Sequence, residues 1–250
     1  MTAQALTVIT GASRGLGLAM AQELLQRGHR VLTLQRHPHE HLQSPSPGAL
    51  VQWAADLREP EAIAQRLSAW LKQIAPHSVS EFNLIHNAAL LSDPGDLCDT
   101  DIDQIAAAVR VGLEAPLVLT AVCLQATASW TVPRKVLNIS SGLGRRAMAG
   151  SSVYCAVKAG MDHYSRALAL EEAAKPNAAR VVSLAPGVID TDMQVQLRSA
   201  SPARFAEQAR FAALKTQGQL DSPQQAAIKV LAYLHRADFG DQVVADVRDA

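Results

Sequence analysis

Seven short apolar runs, each closed by a turn signal, alternate along this chain with longer helical patterns. The runs lie near 5–10, 30–35, 50–54, 82–86, 135–140, 180–185 and 242–247; the helical patterns lie near 16–28, 60–74, 101–128, 151–174 and 223–236. Nearly continuous apolar runs of this length are what strands buried on both faces look like, and a helix between successive strands supplies the crossover that parallel pairing needs. The pattern therefore predicts an α/β fold, a mostly parallel sheet with helices on both faces. Ser222-Pro223-Gln224-Gln225 is a good start for the last helix, with serine at the cap, proline at the first helical position and glutamine at the third. At 250 residues, with no internal repeat, the chain can build one domain around a large core.

Three of the strand ends carry residues with chemical potential. Val8-Ile9-Thr10 runs into Gly11-Ala12-Ser13-Arg14-Gly15-Leu16-Gly17, after which Leu18, Ala21, Leu24 and Leu25 recur on one helical face. Glycines there permit a tight turn and a close backbone approach to a pyrophosphate seated on a helix N-terminus. The spacing departs from Gly-x-Gly-x2-Gly, and phosphate binding and a plain tight turn both fit it. Val136-Leu137-Asn138-Ile139 ends in Ser140-Ser141-Gly142, and Val181-Val182-Ser183-Leu184-Ala185 breaks at Pro186-Gly187, with Thr191 just beyond. Open α/β sheets bind ligands at such carboxyl ends.

Tyr154 and Lys158 stand one helical turn apart, with about 6 Å of axial rise between them. A fixed cation in that place is expected to favour the phenolate and lower a phenol pKa that normally sits near ~10. A tyrosine tuned in this way exchanges a proton near neutral pH, as carbonyl–alcohol interconversion requires. The same spacing also occurs on ordinary helices with no such role.

With the Thr10-to-Gly17 turn, Asp56-Leu57, Asn87-Ala88-Ala89, Ser141, Tyr154, Lys158 and Pro186-Gly187 with Thr191 in this order, the chain resembles the short-chain dehydrogenase/reductase family from Thr7 to about Val247. The resemblance implies one doubly wound, Rossmann-type domain with a seven-stranded sheet. It implies a catalytic set in which Tyr154 gives or takes the proton, Ser141 hydrogen-bonds the substrate oxygen, and Lys158 tunes Tyr154 and holds the nicotinamide ribose. Gly11, Ser13, Arg14, Gly15, Leu16 and Gly17 would form the cofactor turn. Asp56 would meet the adenine amino group and Leu57 its ring; Asn87, Ala88 and Ala89 would lie along the adenosine ribose and pyrophosphate. Pro186, Gly187, Val188 and Thr191 would line the nicotinamide end. Ala89 stands where a glycine is more usual, which points to a negative φ or slight strain.

The charge pattern bears on the cofactor. The second strand ends in Gln35-Arg36, with no carboxylate to accept from a ribose 2′-hydroxyl or to repel a 2′-phosphate. Arg36, and Arg14 in the turn, offer donors suited to that phosphate, so the expected cofactor is NADP(H); two solvated surface arginines are the plain alternative. One departure from the family is Gly112, in Arg110-Val111-Gly112-Leu113, where relatives carry an asparagine supporting a helix distortion and a proton-relay water. Three readings compete: the backbone alone holds the relay water, the enzyme is slow, or catalysis is lost and NADPH binding kept; Gly112→Asn raising turnover without altering cofactor affinity would support a relay defect.

The substrate is expected to be a small carbonyl or vicinal dicarbonyl compound, because the chain end and Ile85-His86-Asn87-Ala88 look closer to the sepiapterin-reductase and benzil-reductase branch. A 3-oxoacyl carrier-protein reductase and a non-catalytic NADP(H)-binding regulatory protein are the alternatives. The segment 188–217, with Met193, Leu197, Phe205 and Phe211, reads as a mobile lid or as apolar residues packed onto the body. Arg145 and Arg146 either attract an anionic substrate or face water. The family also implies a homodimer or homotetramer through the long helices.

Composition agrees: apolar residues make up 48%, charged residues 18%, and the formal net charge is zero, against a nucleic-acid or anionic-membrane partner. No apolar run was expected to approach the ~20 residues that span a bilayer, and no leader precedes the first strand, so the expected location is cytoplasmic. Cys98, Cys123 and Cys155 are too scattered for a disulfide framework or a zinc site, and His37, His39 and His41 read as a solvated Pro-rich loop rather than a metal site.

Overall fold

The computed structural model describes residues 3–249. Seven strands form one sheet: β1 Gln4–Thr10, β2 Arg30–Gln35, β3 Leu50–Ala54, β4 Val79–His86, β5 Arg134–Ile139, β6 Arg180–Ala185 and β7 Val244–Asp246. They pair in parallel in the order β3-β2-β1-β4-β5-β6-β7. Winding runs outward from β1 to β3, then returns to β4 and proceeds the other way. The reversal opens a crevice at the carboxyl ends of β1 and β4.

Successive strand residues face opposite sides, and both sides are apolar. Leu6 and Val8 join Phe82, Leu84 and Val136 beneath helices α2 (Pro60–Lys72) and α4 (Ala115–Ala126). Ile9 joins Ile85, Leu137 and Val182 beneath α1 (Gly15–Gln26) and α8 (Pro223–Leu234). The start of α8 is the predicted one: Ser222 Oγ accepts from Gln225 N at 3.2 Å and Gln225 Oε1 accepts from Ser222 N at 2.9 Å.

The helix expected near 101–128 is α3 (Ile102–Val109), a π-helical turn (Arg110–Glu114) and then α4. Ile102–Ala126 is by length and composition long and apolar enough to cross a membrane, against the sequence expectation. Here its Val111, Ala115, Leu119 and Cys123 are buried against the sheet and α2. Gly112 lies in the π turn, where a Cβ would stand 2.5 Å from Val157 Cγ1 on α5 (Ser152–Ala173). The room an asparagine needs at 112 is filled by Val157, so Gly112→Asn perturbs packing as well as any relay. Gly112→Ala should destabilise the protein by about 1–3 kcal/mol through overpacking, and should be close to neutral in a Val157→Ala background. Urea denaturation of the four-member cycle measures that coupling; additive effects would show that the two residues do not compete.

The 188–217 segment contains α6 (Asp192–Arg198) and α7 (Gln208–Thr216). It is packed down rather than loose. Phe205 is 1% exposed and clusters with Leu197 and Met148, and Leu91, Leu143 and Phe211 pack against them. Gln52 holds the histidine loop, donating to His39 O at 3.1 Å and accepting from His39 N at 2.9 Å.

Two histidines are interred in the fold. His86 Nε2 shares a hydrogen bond with Thr120 Oγ1 at 2.8 Å, and burial pushes its pKa down to about 3. His29 bonds Thr7 Oγ1 at 3.0 Å; burial, with His235 beside it, pushes it down to about 4. Both folded values lie below the unfolded value near ~6.5, so the stability they confer is complete above that pH and is lost as pH falls towards 4 and 3. At pH 5 each withheld proton is worth about 2 kcal/mol. Unfolding free energy should therefore drop by roughly 4 kcal/mol between pH 7.5 and 5, and His29→Gln or His86→Gln should each remove about half of that drop. A flat profile for the unsubstituted protein would mean that both imidazoles charge in the native state.

Candidate active site

The crevice is a cavity of about 1070 Å3, and every residue singled out from the sequence as catalytic or cofactor-binding lines it. Its floor at one end is the turn between β1 and α1. Gly11 and Gly15 have φ of 72° and 54°. At Gly17 a Cβ would stand 2.1 Å from Gly11 O and 2.4 Å from Asn87 Nδ2, so only glycine fits. Asn87 donates from Nδ2 to Thr10 O at 3.1 Å and Gly11 O at 3.0 Å, while Thr10 Oγ1 accepts from Asn87 N and Ala88 N. Asn87 is thus a staple across the crevice, and its side chain is spent on the turn rather than offered to a ribose. The first amides of α1 have no capping side chain, and Gly15, Leu16 and Gly17 line the cavity, a cradle suited to a pyrophosphate. Thr191 closes the cradle from the other wall, its Cγ2 3.3 Å from where a Gly15 Cβ would stand. Ala89 carries no strain: among the described residues no non-glycine has a positive φ.

At the far end of β2, Gln35 turns into the body and donates to Gln52 Oε1 at 2.8 Å. Arg36 is exposed on the cavity rim and makes no ion pair among the described residues. Arg14 is already paired with Asp192 at 2.6 Å. Asp56 is clasped by Arg58 through Nη2 at 2.5 Å and Nε at 3.0 Å, which holds its carboxyl below the usual range. The carboxylate expected to meet an adenine amino group is thus already engaged by Arg58, a partner that the sequence did not suggest although it lies two residues away.

Ser141, Tyr154 and Lys158 meet at the other end. Ser141 Oγ accepts from Leu143 N at 3.2 Å, and Ser141 lines the cavity together with Tyr154 and Lys158. Lys158 Nζ lies 5.6 Å from the Tyr154 ring centroid and donates to Ile139 O at 2.6 Å. The expected lowering of the Tyr154 pKa is not what this geometry produces. Burial pushes the phenol up to about 12 and outweighs the lowering influence of the nearby Ser141 hydroxyl. Burial likewise brings Lys158 down to about 8, against the opposing pull of Asp162. Lys158 is buried and Tyr154 partly so, and removal from water penalises each charged form. The phenol therefore keeps its proton at neutral pH. Beyond this set the cavity is walled by Leu91, Leu143, Met148, Leu197 and Phe211, with Arg146, Asp246 and Arg248 also on its lining. Arg145 is no free cation: it is bound to Asp162 and to the carbonyls of Ser183 and Ala245.

Comparison with known proteins decides the family. The family model described as short chain dehydrogenase matches residues 5–202. This chain belongs to the short-chain dehydrogenase/reductase family. It is 32% identical over 235 residues to a benzil reductase ((S)-benzoin forming) of Bacillus cereus, covering 93% of this chain and 94% of that protein. It is 33% identical over 258 aligned positions to sepiapterin reductase of Rattus norvegicus, covering 98% and 97%. Among solved structures, a short-chain dehydrogenase/reductase from Burkholderia vietnamiensis superposes with a TM-score of 0.68 at 32% identity, over 100% of this chain and 99% of that one. The chain is accordingly an oxidoreductase of the family, whose members use nicotinamide cofactors.

Proposed function

We propose that this short-chain dehydrogenase/reductase reduces a small carbonyl compound, preferably a vicinal dicarbonyl, to the alcohol with NADPH. The observation that carries this reading is the meeting of Ser141, Tyr154 and Lys158 at one end of the cavity whose other end is the glycine cradle and Arg36. The glycine cradle and Lys158 would hold a nicotinamide cofactor, which would supply the hydride that the carbonyl carbon gains. Tyr154 holds the proton that the carbonyl oxygen gains, and its high pKa keeps it in the acid form that reduction needs. Ser141 donates to the same oxygen and stabilises the charge developing there. Lys158, buried and aimed at Ile139 O, adds positive charge below the phenol.

The preference for NADPH rests on the unpaired Arg36 and on the absence of a carboxylate at the end of β2, where Gln35 is turned inward. The vicinal-dicarbonyl preference rests on the benzil reductase and sepiapterin reductase relatives and on an apolar substrate chamber. The retained π turn around Gly112, with the complete Ser141–Tyr154–Lys158 set, favours an enzyme over a cofactor-binding regulator. NADPH consumption should be measured against a panel of vicinal diketones, simple ketones and aldehydes, and 3-oxoacyl thioesters. Turnover strongest with the diketones is the expected result. Tight NADPH binding without turnover of any member would overturn the reading, and a preference for 3-oxoacyl thioesters would replace its substrate.

A further inference from the structure

Directly behind the catalytic set lies a carboxylate that the proposed chemistry does not use. Asp162 follows Lys158 by one turn of α5 and is 1% exposed. It accepts from Ser140 Oγ at 2.5 Å, Ser183 Oγ at 2.6 Å and Arg145 Nε at 3.2 Å. These donors come from three places: the residue before Ser141, the middle of β6, and the segment after Ser141. Arg145 also donates to Ser183 O at 3.4 Å and Ala245 O at 2.8 Å, reaching both β6 and β7. Gly144 lies so close that a Cβ there would stand 2.8 Å from Asp162 Oδ2 and 2.9 Å from Lys158 O. Hydrogen bonds to a charged carboxylate are about twice as strong as neutral ones, and a buried carboxylate persists only where such bonds surround it.

The arrangement has a geometric result. Ser141 sits on an irregular segment between β5 and α5, whereas Tyr154 and Lys158 ride on a 22-residue helix. Two groups that act on one oxygen must hold their relative position to about 0.5 Å, and irregular segments are ordinarily the more mobile part of a fold. Asp162 joins the two: it belongs to the helix, and its carboxylate grips the segment on both sides of Ser141.

We propose that Asp162 is a positioning residue for this site, fastening the 140–146 segment that carries Ser141 to the helix that carries Tyr154 and Lys158. The inference rests on the reductase reading for its kinetic consequence, and on the observed bonds for its structural one.

Hydrogen–deuterium exchange and steady-state kinetics on Asp162→Asn, Ser183→Ala and Arg145→Gln separate the two. In Asp162→Asn, amides of residues 140–146 should exchange at least about tenfold faster, while those of α1 and α8 on the opposite face keep their protection. With the best carbonyl substrate, kcat should fall roughly tenfold to a hundredfold, as a misplacement near 1 Å would cause, and KM for NADPH should stay close to the unsubstituted value. Loss of protection spread evenly over the chain, or unchanged protection at 140–146, would overturn the proposal. If Asp162→Asn does not fold, Ser183→Ala and Arg145→Gln each remove one donor and must show the same local loosening in smaller measure; normal protection in both would also overturn it. Should the unsubstituted protein reduce no carbonyl, the exchange measurement decides the role of Asp162 alone, while the reductase reading falls separately.

Discussion

Tyr154→Phe should lower carbonyl reduction by about 10²–10⁴-fold and leave NADPH affinity nearly unchanged. The substitution deletes one oxygen and keeps the ring that lines the cavity. Burial pushes the Tyr154 phenol up to about 12, so at neutral pH it is the proton-bearing form that is lost. Ser141 cannot replace it: a serine hydroxyl can donate a hydrogen bond to the substrate oxygen but is a poor proton source at neutral pH. Single-turnover NADPH oxidation measures the chemical step, and a fluorescence titration with NADPH measures binding. Retained turnover would mean that another group protonates the substrate; parallel loss of binding would mean that the ring, not the hydroxyl, is what matters.

Arg36→Glu is expected to invert the cofactor preference. Loss of a charge-assisted hydrogen bond worth ~1.5–3 kcal/mol weakens NADPH binding roughly tenfold to a hundredfold, and the new carboxylate repels a 2′-phosphate besides. The same carboxylate accepts from a ribose 2′-hydroxyl, so NADH should gain. Arg14 gives little compensation, since its guanidinium is engaged by Asp192 at 2.6 Å. The ratio of NADPH to NADH dissociation constants reads the result directly. An unchanged ratio would remove Arg36 from the phosphate site.

What the sequence disclosed and what it hid follow a physical division. Strand alternation, glycine spacing and the one-turn separation of Tyr154 and Lys158 are properties of short stretches, and the sheet and the cavity lining follow from them. The hidden features depend on burial or on residues distant in the chain. A net pKa is one such feature: Tyr154 and Lys158 look like a tuned pair in isolation, yet burial governs each of them and neither figures in the other's shift. The neighbour of Gly112 is another, because Val157 lies 45 positions away and its closeness appears only when two helices pack. Asp162 left a trace, one turn beyond Lys158, but its donors Ser140 and Ser183 stand on segments that only the sheet brings together. Arg58 beside Asp56 was a local signal that the family pattern overshadowed.

The buried phenyl of Phe205 sets a tempo for the site. Gly150 has φ of 72°, and a Cβ on it would stand 2.9 Å from that ring, so segment and body meet here without spare room. Re-exposing such a side chain costs about 1.5–3 kcal/mol, so this ring alone opposes withdrawal of the segment by a factor of roughly ten to two hundred. Were a bulky compound to need that withdrawal for entry, its capture would be slowed by at least that factor. A slim compound would escape that delay, so the packing of one phenyl ring could sort candidate substrates by arrival rate before any contact in the chamber distinguishes them.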